Sequence, residues 1–194
     1  MTSRGDPTTA VTAGATDEAT VEPRASAGFA PIGDRRARVL ILGSLPGRVS
    51  LARGEYYAQA RNAFWPIMGE LFGAGPDLPY PRRARRLAER RVAVWDVCAS
   101  ARRRGSLDSS IERDSVVAND FGAFFAAHGR IDAIFLNGAT AYAFYERLVL
   151  PRLEPRLRAL ERVRLPSTSP ANASIPYARK LAAWRAVLRG EACT

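Results

Sequence analysis

Three nearly continuous apolar runs, each followed by small or polar residues and then a helical pattern, constrain this chain more than any other feature. They are RVLILG (Arg38–Gly43), VAVWDV (Val92–Val97) and DAIFLNG (Asp132–Gly138), with a weaker fourth run, ERVRLP, at Glu161–Pro166. An apolar run without alternation suits a strand covered on both faces, because neither face meets water. Helical patterns lie near Phe64–Phe72, Arg82–Arg91, Glu112–His128 and Ala139–Leu148, and a last helix is predicted near Tyr177–Arg189, after Pro176. SSIE at Ser109–Glu112 fits a capping box opening the third of these. Strand–helix alternation of this kind predicts an α/β fold, a small parallel sheet sandwiched by helices.

In such folds ligands bind outside the carboxyl ends of the strands. That rule gathers four separate loops into one expected site: GSLPG after the first strand, WDVCAS after the second, LNG after the third and LPSTSPANA after the fourth. All four are rich in small or polar residues.

Charge narrows the partners. In residues 1–34, Arg4 and Arg24 face Asp6, Asp17, Glu18, Glu22 and Asp34, a net −3, so the remainder carries +13 of the total +10. A compact domain with that excess attracts polyanions, nucleic acid first. Arginine richness inherited from a GC-rich genome is the bland alternative. Residues 1–34 are Thr/Ala/Gly/Ser/Pro-rich without periodicity and read as a disordered tail, leaving 35–194 as the folded domain. Its acidic residues and the lack of a basic-then-apolar start argue against organelle and secretory signals. No stretch approaches the roughly 20 apolar residues of a membrane span, and Cys98 and Cys193 lack metal-ligand spacing. The expected location is the cytoplasm, at the nucleoid.

Pro46 and Gly47 shape a rigid turn able to lay amides beside a phosphate or a base, but the GSLPG loop lacks both the Lys-Ser/Thr ending of a P-loop and G-x-G-x-x-G. In YYAQARNAFWPIM, Tyr56 and Tyr57 fall in a loop where rings can stack on bases, while Phe64, Trp65 and Met68 form a buried stripe. Asn62 stands just before that helix as a cap or as a site amide. Asn137 ends a strand, where an amide can donate to and accept from a base edge. Ser167, Thr168, Ser169 and Asn172 offer phosphate contacts, and Asp96 either orients a group in the site or caps a loop. His128 reads as a helix-terminus residue, Cys98 as core and Lys180 as an unpromising Schiff-base lysine. The arginines of 82–91, 102–104 and 152–164 flank a DNA track or form solvated faces.

Taken in order, GSLPGRVS, YYAQARNAFWPIMGELFG, VWDVCASARRRGSLDSSI, LNG and LPSTSPANA resemble the uracil-DNA glycosylase superfamily, in particular its hypoxanthine-DNA glycosylase branch. The resemblance covers Arg38 to about Arg189. It implies a three-layer α/β/α sandwich on a short, mainly four-stranded parallel sheet, and a monofunctional hydrolase removing deaminated bases from DNA. Gly43, Ser44 and Leu45, with Tyr57 and Asp96, are then base-binding, Tyr57 being the ring under the flipped base. Pro46, Gly47 and Ser167, Thr168, Ser169, Pro170, Ala171 and Asn172 then contact the DNA backbone. Many branches carry Asp, Glu or Asn where this chain has Leu45, so the resemblance assigns the chemistry to Asn62 and Asn137. Ser167 replaces the usual histidine of the second motif, and Ala171 is too small to fill the hole left by a flipped base, as a bulky residue there does in related branches. The implied partner is double-stranded DNA with a damaged base, with single-stranded DNA as a further candidate. No cofactor, metal or membrane is implied, and a monomer is expected. The alternatives are a uracil- or mismatch-specific glycosylase on the same fold, or a non-catalytic basic nucleic-acid-binding domain.

Overall fold

The computed structural model describes residues 24–191. In chain order the strands are β1 (Arg24–Ala27), β2 (Val39–Gly43), β3 (Val92–Asp96), β4 (Cys98–Arg103), β5 (Val117–Ala118), β6 (Ala133–Asn137) and β7 (Glu161–Leu165). The helices are α1 (Arg48–Arg53), α2 (Phe64–Phe72), α3 (Tyr80–Glu89), α4 (Phe121–Ala127), α5 (Ala139–Phe144), α6 (Pro155–Arg158), α7 (Tyr177–Trp184) and α8 (Val187–Glu191).

All four expected strands form and pair in parallel in the order β3-β2-β6-β7. Every residue of β2, β3 and β6 is buried, as their unalternating sequences require. Helices α3, α5, α7 and α8 pack on the sheet, and the fold is the expected α/β one. The chain adds β3 on one side of β2 and then β6 on the other. The order therefore reverses between β2 and β6, and a crevice opens beyond their carboxyl ends.

A second sheet was not legible. β4 reads CASARR, with little apolar content, yet it pairs antiparallel with β1 and β5. Its partner β1 lies in the segment expected to be a tail. The structure instead folds residues 24–34 onto the domain; the part of that expectation covering residues 1–23 lies outside the described residues. Ile32 exchanges two backbone hydrogen bonds with Val94, covering the outer edge of β3. Gly33, at φ +118°, lies so close to β3 that a Cβ would stand 2.9 Å from the Ala93 Cα. Phe29 sets its ring edge-on to Tyr56, and its carbonyl accepts from the Trp95 indole and the Tyr56 hydroxyl. Deleting residues 1–33 is therefore expected to cost about 2–4 kcal/mol more stability than deleting 1–23, read by urea denaturation.

The helix expected over 112–128 is the other departure. Asp108–Ser110 and Arg113–Ser115 are 3-10 turns, and β5 follows. The helix begins only after Asp120, whose carboxylate accepts from the Ala123 amide as a true N-cap. Ser109 caps nothing, because the chain here closes the small sheet, with Ile111 bridging Arg103. His128 ends α4 as expected, its Nδ1 donating to the Phe124 carbonyl. The 139–148 and 177–189 helices form but are divided, the first passing into a π-turn at Tyr145 and the second breaking between Trp184 and Val187.

Candidate active site

The crevice is a cleft of about 1270 Å³ lined by every residue expected to bind base or DNA or to carry the chemistry: Gly43 to Gly47, Tyr57, Asn62, Asp96, Asn137, and Ser167 to Asn172. Five loops separated by up to 129 positions in the chain thus converge at the reversal of strand order.

The floor is the turn after β2. A Cβ on Gly43 would fall 2.2 Å from Asp96 Oδ1 and 2.9 Å from the Tyr57 hydroxyl, so glycine alone fits. Leu45 is buried and fixes the turn by packing. The Pro46 carbonyl accepts from Nη2 of Arg103.

Tyr57 and Tyr56 part company. Tyr56 is core, only 2% exposed, and cannot serve as a platform. Tyr57 adopts φ +54°, a left-handed conformation costing a non-glycine residue about 1–2 kcal/mol. The strain is held by stacking on Phe64, with ring centroids 3.9 Å apart. The buried Tyr57 hydroxyl faces Asp96 and Asn137 without completing a hydrogen bond, and burial pushes its pKa upward.

Both amides are partly committed. Asn62 Oδ1 accepts from the Phe64 amide at 3.0 Å, so it does serve the start of α2, while its Nδ2 has no partner among the described residues. Asn137, 7% exposed, donates from Nδ2 to Thr168 Oγ1 and accepts from the Thr168 amide, both at 2.9 Å. It thereby ties the end of β6 to the loop after β7. Gly138, at φ +98°, leaves room for Ser167, whose Cβ a side chain there would strike.

The 167–172 loop is laced by its own hydroxyls. Ser167 Oγ accepts from the Ser169 amide, Ser169 Oγ from the Ala171 amide, and Asn172 Nδ2 donates to the Ser167 carbonyl. Each serine accepts here, so its own proton remains available to an anion at the cleft. Ala171 is exposed.

Charge in the cleft divides into a buried core and an exposed rim. Asp96 is 3% exposed and its Oδ2 has no hydrogen-bond partner. Burial, with the neighbouring Asp108 carboxylate adding to it and Arg103 opposing, pushes its pKa up to about 8. Burial likewise raises Asp108, against the pull of the Ser44 hydroxyl and Arg103. Arg103 itself is buried, with Nε and Nη1 unsatisfied, and burial lowers its pKa. Sequence reasoning missed Arg103 and Asp108. Had β4 been read as a strand, the spacing of Ala101 and Arg103 on one face would have placed the guanidinium inside. On the rim, Arg48, Arg61 and Arg164 are exposed and lack acidic partners among the described residues. Elsewhere some arginines of the runs pair with acids, as Arg85 and Arg86 with Glu89, Arg102 with Glu112, and Arg162 with Glu146.

Comparison with known proteins agrees with this geometry. Residues 30–188 match the uracil DNA glycosylase superfamily. A hypoxanthine DNA glycosylase of Methanosarcina acetivorans is 33% identical over 84% of this chain and 97% of its own. One from Methanosarcina barkeri is 31% identical over 79% and 92%. The solution NMR structure of a Methanosarcina acetivorans protein assigned as a uracil DNA glycosylase superposes with a TM-score of 0.71 at 32% identity, over 87% of this chain and 99% of that one. With the parallel sheet, the cleft at its strand reversal and the five converging loops, these matches place the chain in the uracil DNA glycosylase superfamily.

Proposed function

We propose that the chain is a monofunctional DNA glycosylase that hydrolyses the N-glycosidic bond of deaminated bases, hypoxanthine first. The observation that carries this reading is the convergence of all five motif loops on one cleft with a buried polar core and an unpaired arginine rim. Its likeness to two hypoxanthine DNA glycosylases over most of its length supports the substrate.

The rim arginines and the serine hydroxyls of the 167–172 loop meet phosphates, and one nucleotide is extruded into the cleft. Tyr57 supports the flipped base. Bond cleavage develops positive charge on the sugar and negative charge on the departing base, so preorganised donors aimed at the base lower the barrier. Asn62 Nδ2, the second Asn137 Nδ2 proton and the protonated Asp96 carboxyl are those donors. Water adds across the broken bond, its hydroxyl to the anomeric carbon and its proton to the base, leaving an abasic site. With Leu45 unable to polarise that water, Asn62 Oδ1 holds it through the lone pair that Phe64 does not use.

The test is incubation of purified protein with duplexes carrying one deoxyinosine or one deoxyuridine, followed by alkali. Cleavage at deoxyinosine is expected; no product from either at stoichiometric protein would end the enzymatic reading. Asn62→Ala is expected to slow single-turnover excision at least tenfold, while costing only about 1 kcal/mol through the lost helix-start bond. A wild-type rate in that variant would remove Asn62 from the chemistry.

A further inference from the structure

We propose that Leu107 is the side chain that enters the duplex and occupies the space vacated by the extruded base. This rests on the glycosylase reading above. Among the described residues, large apolar side chains stand exposed at few places, and two of them, Val49 and Leu107, lie on the cleft itself. Leu107 is 52% exposed, although its neighbours on both sides are fastened. Ser106 Oγ accepts from the Arg48 amide at the start of α1, and the Asp108 carboxyl turns inward beside Ser44 and Arg103. Gly105, at φ +76°, makes the turn that brings the chain back from β4. Arg103, two residues before it, is held to the Pro46 carbonyl of the floor.

A leucine free to move would fold back onto apolar surface, because leaving it exposed to water is unfavourable relative to burial. Here both neighbours are spent on the floor of the site, and the side chain is left pointing away from the core at the lip of a cationic cleft. Apolar side chains presented in this way unstack base steps and fill gaps in a duplex. Val49 is the lesser candidate, shorter, branched at Cβ and held in α1. Ala171, on the opposite loop, has a single methyl group and cannot fill a base-sized gap.

The deciding experiment measures binding and needs no excision. Affinities of the wild-type protein and of Leu107→Ala are compared on two duplexes, one undamaged and one with a tetrahydrofuran abasic site beside 2-aminopurine. The variant is expected to bind the abasic duplex about tenfold more weakly and the undamaged duplex unchanged. The 2-aminopurine fluorescence rise produced by the wild type should be lost. Leu107→Met, which restores an apolar side chain of similar volume, should recover both signals. Equal abasic-site affinity in wild type and Leu107→Ala would overturn the assignment, as would parallel losses on both duplexes. Failure of the glycosylase reading would appear separately, as absence of hypoxanthine release by the wild type.

Discussion

Asn137→Ala is expected to slow hypoxanthine excision by about 100-fold or more and to destabilise the fold at the same time. The size of the kinetic effect follows from loss of a preorganised donor in a water-poor site. The stability effect follows from Thr168, 1% exposed, whose amide and hydroxyl both bond to Asn137. Removing the amide leaves two buried polar groups unpaired, at about 1–3 kcal/mol each. Asn137→Asp separates the two roles. An aspartate can accept from both the Thr168 amide and its hydroxyl, so most of the stability should return. Unlike Asp96, it would take bonds from two Thr168 donors, which favour the ionised carboxylate; that form cannot donate to a departing base, so the rate should stay low. Single-turnover kinetics beside urea denaturation on the three proteins reads this out. Recovery of the rate together with the stability in Asn137→Asp would mean that Asn137 only fastens the second-motif loop.

Asp96 should impose a pH dependence on both stability and catalysis, and Asp96→Leu should lower excision by about 100-fold. Its folded pKa, near 8, lies well above the ordinary carboxyl value, so the folded protein keeps a proton that the unfolded chain releases. Stability therefore falls as pH rises from about 4 to about 8, and this contribution is constant outside that window. Within it the cost reaches about 1.4 kcal/mol per pH unit, with roughly 2–4 °C of Tm for each kcal/mol in a chain of this length. Asp96→Asn has no proton to lose, so its Tm should gain on the wild type with every step upward through the window. Asp108, raised in the same direction, remains in both proteins. The excision rate should fall above about pH 8 in the wild type, where the donor ionises, and stay level in Asp96→Asn. Tm differences that do not change between pH 5 and pH 8 would show that Asp96 is ionised in the folded protein.

Much of this architecture was legible because it is written in neighbouring residues. An uninterrupted apolar run reports a strand covered on both faces, so β2, β3, β6 and the weaker β7 could be placed to within a residue or two. Helix α2 was placed end to end, since its buried face, Phe64, Trp65, Ile67, Met68 and Phe72, repeats at helical spacing before Gly73. The carboxyl-end rule then gathered the site, because it depends on strand direction alone. β1 and β4 escaped because a polar strand is defined by the partner that completes its hydrogen bonds. Here that partner is more than 70 positions away. The 112–128 segment was misread for a related reason: apolar residues at Val117, Phe121, Phe124 and Phe125 fall at helical spacing, but the antiparallel pairing of β5 with β4 claimed the first part of the chain.

The residue types in the cleft were fixed by sequence, whereas their chemical states were not. Local pattern brought up Asn62, Asn137, Asp96 and the pair Tyr56 and Tyr57, and the family resemblance chose Tyr57 and gave the amides their expected role. Tertiary structure alone decided that Asn137 is bound at both ends to Thr168 and that Tyr57 is strained against Phe64. It also brought Asp108 and Arg103 to Asp96 in a place largely shielded from solvent. Hydrophobic periodicity is a property of consecutive residues and survives in the bare string. Desolvation, pairing and a shifted proton depend on which distant groups share a volume, and that is set only when the sheets close over the site.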